Sequence, residues 1–190
     1  MTQATQITDK LFTLLADVGQ QTYYGEDVTQ LEHALQCAKL ASDANSDEET
    51  IIAALLHDIG HICAPEAAHM TDDIGVVDHE GIGADYLRAR GFSEKVVQLV
   101  QAHVAAKRYL TATNPTYAAR LSPTSVATLK HQGGPMSPDE VAAFERDPLF
   151  QEKLRMRQWD EQGKQPDWDV PPLESYRSLV ERHLRRNEEA

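Results

Sequence analysis

Six residues of this chain are of the types that bind metal ions: His33, the adjacent His57 and Asp58, His79, His103 and Asp160. Imidazole and carboxylate together suit iron, manganese or zinc. The only cysteines, Cys37 and Cys63, lack metal-ligand spacing, which argues against a zinc-thiolate or iron–sulfur centre. Four histidines and two aspartates supply enough ligands for two ions. Asp58 follows His57 at the end of the apolar run Ile51 to Leu56, so both side chains reach one region, and the two oxygens of an aspartate there can bridge. One ion would take His33, His57, Asp58 and Asp160. The other would take Asp58, His79 and His103; poorer in protein ligands, it would keep open positions for substrate. Burying so many ionisable groups without a metal would be costly. His69, His131 and His183 stand alone and are read as non-ligands.

The elements that must position these residues are helices. Leu11, Leu14, Leu15 and Val18 recur at helical spacing in residues 5–18. A loop at 19–26 precedes a helix over about 28–44, with Leu31, Leu35, Ala38, Leu40 and Ala41 along one side. Ser46 to Glu49 reads as a capping box opening the helix that ends at His57 and Asp58, with Gly60 as its stop. Residues 61–78, with Pro65 and Gly75, read as an irregular loop. A helix from His79 ends before Gly91, a left-handed cap, and Ser93 caps the next, which carries His103. Ser122–Pro123 and Ser137–Pro138 each read as an N-cap with proline in the first turn. Gln132 to Pro135 makes a tight connection. Helices over about 148–162, bearing Asp160, and 173–186 complete the chain. No strand pattern is convincing. The reading is one all-α domain, 1–190, a helical bundle with a dinuclear metal site in its interior.

The chain as a whole narrows the function. Its 190 residues suffice for a core without disulfides, and Cys37 and Cys63 read as buried thiols. A net charge of −12 gives no basic field for a nucleic acid. No apolar run is long enough for a membrane span, and residues 1–10 are polar without a signal-peptide core. These features predict a cytoplasmic protein with neither nucleic-acid nor membrane partner. An anionic substrate would need a local basic cluster.

The spacing of His33, His57–Asp58 and Asp160 resembles the HD-domain superfamily. The added His79 and His103 fit its dinuclear branch. Within that branch the chain is similar to the PhnZ-type oxygenases, which cleave carbon–phosphorus bonds with a mixed-valent di-iron centre. The matching segments span nearly the whole chain. They include Tyr23 to Glu26, Gln30 to His33, Leu55 to His61, Gly83 to Arg88, Gly91 to Glu94, His103 to Leu110, Gln132 to Met136 and Trp159 to Glu161. The resemblance implies two iron ions, Fe(II)/Fe(III) in the active state, on the six residues above, with dioxygen as co-substrate. It implies that Tyr23 ligates iron when substrate is absent, and that Glu26 senses the substrate amine. His61, Lys107 and Ser125 would surround the phosphonate, with Thr128 and Gln132 as further contacts. Tyr23, His61 and Lys107 would be the catalytic groups, and Arg157 would support the anion site from behind.

Residue chemistry points the same way. A phosphonate dianion wants cationic and hydroxyl donors, and Lys107 lies four residues after His103 on the same helix face. A carbon–phosphorus bond resists hydrolysis, so the practical route is oxidation of its carbon. The substrate implied is a small hydroxyphosphonate. It is either 1-hydroxy-2-(trimethylammonio)ethylphosphonate, giving glycine betaine and phosphate, or 2-amino-1-hydroxyethylphosphonate, giving glycine and phosphate. Tyr24, with Tyr109, favours a quaternary ammonium through ring-face contacts, whereas Asp27 adds an acceptor for a primary one. The rival classes are an HD-type metal-dependent phosphohydrolase, an inositol-type di-iron oxygenase and a non-catalytic binding module.

Overall fold

The computed structural model describes residues 2–23, 26–64, 70–71 and 75–189. Among these, helices α1 (Gln3–Val18), α2 (Gln30–Asp43), α3 (Glu48–Leu56), α4 (Ile59–Cys63), α5 (His79–Arg88) and α6 (Glu94–Thr113) come first. They are followed by α7 (Pro115–Ala118), α8 (Pro123–His131), α9 (Pro138–Glu145), α10 (Phe150–Gln162), a 3₁₀ turn (Leu173–Tyr176) and α11 (Arg177–Glu188). The starts of α1, α2, α3 and α6 to α9 follow from side-chain oxygens that accept orphan N–H groups. Thr29 and Glu32 form a reciprocal capping box before α2, Ser93 accepts from Val96 N–H before α6, and Ser122 and Ser137 each precede a proline in the first turn. Gly91 closes the α5 turn with φ +81°, as its sequence position required.

Helix α2 packs on α3 and α10, and α6 lies against α3, α5 and α10. The apolar faces meet in one core that includes Leu11, Phe12 and Leu15 of α1, Ile52, Leu55 and Leu56 of α3, Val96, Val97, Leu99 and Val100 of α6, and Met156 of α10. Helix α11 covers α1 and α3 with Val180 and Leu184. The all-α architecture is thus the one expected. No described helix is long and apolar enough to cross a membrane.

Three local expectations are corrected. The cap of α3 is Asp47, which accepts from Thr50 N–H, and not Ser46. Gly60 does not stop a helix. It lies inside α4, where a β-carbon would fall 1.8 Å from the carbonyl oxygen of His79, so the glycine lets α4 and α5 touch. Residues 61–78 are not all loop, because α4 runs to Cys63 and Met70–Thr71 pairs antiparallel with Gly75–Val76. Two-residue strands carry no periodicity for a sequence to show. Pro65 and His69 lie outside the described residues.

Candidate metal centre

Five segments bring the six candidate ligands together. His33 stands one turn into α2, His57 and Asp58 occupy the turn between α3 and α4, and His79 is the first residue of α5. His103 lies in mid α6, and Asp160 in the last turn of α10. All six are buried. Asp58 divides them into two groups. Its Oδ2 lies 3.5 Å from His33 Nε2 and 3.3 Å from His57 Nε2, and Asp160 Oδ1 is 3.5 Å from the same His33 nitrogen. Its Oδ1 lies 3.5 Å from His79 Nε2 and 3.4 Å from His103 Nε2.

The donor set can be tested for a cation without appeal to any relative. His57 Nδ1 lies 2.9 Å from the carbonyl oxygen of Ala54, His103 Nδ1 2.7 Å from that of Val100, and His33 Nδ1 2.7 Å from that of Gly163. A carbonyl only accepts, so each Nδ1 carries a proton and each Nε2 is turned inward, where it binds either a second proton or a cation. The Nε2 atoms of His33 and His57 face each other across 3.1 Å. His79 and His103 bring their Nε2 atoms within 2.9 Å. Among the described residues, Asp58 Oδ2 and Asp160 Oδ1 are buried without a hydrogen-bond partner. Donors held about 2.1 Å from one ion stand about 3.0–3.4 Å apart in octahedral or tetrahedral geometry. The residues present therefore fit two cations, one on each side of Asp58. Cys37 also lies near His33 and His57, but its thiol donates to the Trp159 carbonyl at 3.5 Å.

A small cavity of about 50 Å³ opens on the His79–His103 side. Asp58, His79, His103 and Asp160 line it, together with Tyr23, Glu26, His61, Lys107, Ser125, Thr128 and Gln132. The described residues expected around the phosphonate are therefore in one place with Glu26, whereas Asp27 is not among the lining residues. Tyr24 lies outside the described residues. Tyr109 is not in the cavity; its hydroxyl donates to Glu145 and its ring packs on Phe144 and Phe150. Lys107 is 3 % exposed and donates to Thr128 Oγ1 at 2.9 Å, while Ser125 sits in the first turn of α8. His61 stacks on His79 with ring centroids 3.9 Å apart, and its Nδ1 accepts from Val76 N–H at 3.4 Å. Tyr23 stacks on His33 at 4.3 Å and lies within reach of the charges of Asp58 and Asp160.

Two further cations line the cavity. Arg157 is buried, pairs with Asp160 and Glu161, and donates from Nε to Tyr117 at 2.9 Å. Lys164 was missed by sequence reasoning. It follows Asp160 by four residues, the same spacing that singled out Lys107, and that signal would have found it.

Burial favours the protonated forms of Asp58 and Asp160, yet His57 beside the one and Arg157 beside the other hold both well below the usual carboxylate range. Burial pushes His61 down to about 4 and, helped by Arg157, Lys107 down to about 7. Burial, then the charges of Asp58 and Asp160, raise Tyr23. His183, far from this site, accepts from Ser93 N–H at 3.1 Å, and His131 is exposed.

The HD domain family matches residues 31–140. An uncharacterized protein of Acanthamoeba polyphaga mimivirus is 37 % identical over 185 residues, which is 97 % of this chain and 84 % of that protein. The 1-hydroxy-2-(trimethylamino)ethyl phosphonate dioxygenase (glycine-betaine-forming) of Leisingera caerulea is 43 % identical over 164 residues, 86 % of this chain and 83 % of its own. The hydroxymethylphosphonate dioxygenase of Gimesia maris is 41 % identical over 172 residues, 90 % and 85 % of the two chains. The chain belongs to the HD-domain family and, within it, to the PhnZ-like oxygenases.

Proposed function

We propose that this enzyme cleaves the carbon–phosphorus bond of 1-hydroxy-2-(trimethylammonio)ethylphosphonate with dioxygen, giving glycine betaine and phosphate. One observation carries the reading: the half of the Asp58 cluster with fewer protein donors faces a cavity lined by Lys107, Ser125, Thr128 and Arg157. That combination is an open metal position beside an anion site. The relatives named as phosphonate dioxygenases support it.

In this proposal His33, His57, Asp58 and Asp160 hold one iron, and Asp58, His79 and His103 hold the other. The pair, Fe(II)/Fe(III) when active, supplies the redox chemistry that lets dioxygen take four electrons. The C1–H and C1–P bonds break, oxygen joins C1 and phosphorus, and no external reductant is consumed. The chain's own residues orient the reactants. The Lys107 ammonium and the Ser125 and Thr128 hydroxyls receive the phosphonate oxygens, with Gln132 beside them. The Nδ1 of His61 is taken by Val76 N–H, so its proton sits on Nε2 and is donated toward the anion. Tyr23, stacked on His33, would be a further iron ligand while substrate is absent and give way when substrate arrives. Glu26 and Tyr24 receive the ammonium. Residues 1–190 act as one oxygenase domain, a reading supported by a ligand set that draws on segments from α2 to α10. It is placed in the cytoplasm, in keeping with the free thiols Cys37 and Cys63. The net charge of −12 fits a small-molecule partner rather than a nucleic acid.

The test is phosphate release by iron-loaded protein, with and without air, from this substrate, from 2-amino-1-hydroxyethylphosphonate and from hydroxymethylphosphonate. Oxygen-dependent release with the highest kcat/KM for the trimethylated compound is expected. A preference for the primary amine would move the assignment to the glycine-forming reaction. Anaerobic release from phosphate esters, with none from phosphonates, would replace it with a phosphohydrolase.

A further inference from the structure

Lys164 lies just past the end of α10. Its Nζ is 3.5 Å from Glu26 Oε1, 4.0 Å from Asp160 Oδ1 and 5.5 Å from the centroid of the Tyr23 ring. The side chains of Lys164 and Glu26 are only 13 % and 21 % exposed. A carboxylate beside an aromatic face is the environment that holds an organic ammonium. This chain fills that corner with an ammonium of its own. Glu26 is also the carboxylate that the proposed reaction assigns to the substrate cation, and both residues line the same cavity as the candidate metal centre.

We propose that Lys164 is a specificity residue: it is the resident cation of the Glu26–Tyr23 corner, and a cationic substrate must displace it to bind. This rests on the phosphonate-dioxygenase reading above and deepens it. Specificity is a difference of affinities. Lys164 reduces the apparent affinity of ammonium-bearing hydroxyphosphonates by the fraction of time it holds the corner. A hydroxyphosphonate with no ammonium leaves Lys164 in place and pays no such penalty. The residue thereby narrows, without reversing, the enzyme's preference for the trimethylated substrate over an uncharged one.

Two measurements test this. In wild-type iron-loaded protein held without oxygen, acetic anhydride labelling of each lysine is read by mass spectrometry. Labelling of Lys164 is expected to rise with 1-hydroxy-2-(trimethylammonio)ethylphosphonate and not with hydroxymethylphosphonate, against Lys130 as the internal standard. In steady-state kinetics, Lys164→Met is expected to lower the KM ratio of the trimethylated to the uncharged substrate about tenfold, roughly 1.4 kcal/mol. Lys164→Arg is expected to keep it. Equal labelling with both ligands, or a ratio that Lys164→Met leaves unchanged or raises, would overturn the assignment while oxygen-dependent phosphate release stays intact. Absence of that release from every substrate in the wild type is a different failure, and it would sink the functional reading itself.

Discussion

Replacing Lys107 by methionine is expected to move function and stability in opposite directions. Lys107 is buried, and its ammonium donates to Thr128 Oγ1 at 2.9 Å, its one hydrogen bond among the described residues. Burial first, and Arg157 next, bring its pKa from 10.5 to about 7. That fall corresponds to roughly 5 kcal/mol against the charged form, an upper bound. The unfolded chain binds this proton up to 10.5 and the folded chain only to about 7, so stability rises with pH between the two values and the full penalty applies below about 7. Methionine removes the penalty and loses one charge-assisted hydrogen bond, about 1.5–3 kcal/mol. The Thr128 hydroxyl keeps its bond to the Ser125 carbonyl at 3.1 Å, so nothing is orphaned. Metal-free Lys107→Met should therefore gain about 1–3 kcal/mol at pH 6.5, with melting raised by about 2–4 °C per kcal/mol.

On the functional side, truncating one partner of a buried charge pair costs about 2–5 kcal/mol, or about 30-fold to several thousandfold in kcat/KM. The assays are phosphate release under air and urea denaturation of chelator-treated protein at pH 6.5 and 9. The stability gain should shrink at the higher pH. A variant that is less stable than wild type at pH 6.5, or whose kcat/KM stays within about threefold, would show that Lys107 is a structural cation and the anion site lies elsewhere.

Asp58→Asn should drop bound metal from two equivalents to one or fewer and cut activity by more than the roughly 100-fold that even outer-shell changes cause; elemental analysis that still finds two equivalents would rule out a bridging role. Gly60→Ala puts a β-carbon on the His79 carbonyl and should destabilise by about 3 kcal/mol while loosening the His79 donor, read as a lower urea midpoint and weaker metal retention. His183 accepts a backbone N–H, and burial lowers its pKa below 6.5. Its contribution is complete above that value and is lost as pH falls from there toward the lower folded pKa. The acid limb of the stability curve should flatten in His183→Gln, and an unchanged limb would assign it to other groups.

The donors were legible because their residue types are costly to bury and each falls on or beside a helix. The helix starts were legible where one hydroxyl precedes a proline, as at Ser122 and Ser137. The α3 start was not, since Ser46 and Asp47 are both good caps and only the chain path selects Asp47. Gly60 has the residue type of a stop and the role of a contact, a distinction set by α5, which follows it by nineteen residues. The direction of each imidazole was partly readable. Ala54 and Val100 both lie three residues before their histidine, whereas Gly163 reaches His33 across 130 positions and no local pattern encodes it. Lys164 escaped because the helix was expected to end at 162, although its side chain turns back over Asp160.

The charges around the cavity explain how so acidic a chain accepts a dianion. Three carboxylates line it, Glu26, Asp58 and Asp160, and three cations, Lys107, Arg157 and Lys164. The protein groups alone come close to balance, which accounts for carboxylates that stay ionised in a buried place. Balance gives a phosphonate little reason to enter. With the two cation positions beside Asp58 filled, the same lining carries a net positive charge of several units in a medium of low dielectric, where each charge acts more strongly than in water. Metal and phosphonate must then strengthen each other's binding, because linkage is reciprocal. The chain's net charge of −12, most of it carried on the surface, is irrelevant to that exchange. It acts over the outside of the molecule, where salt screens it within about 8–10 Å, while the choice of ligand is made by six side chains and the ions they surround.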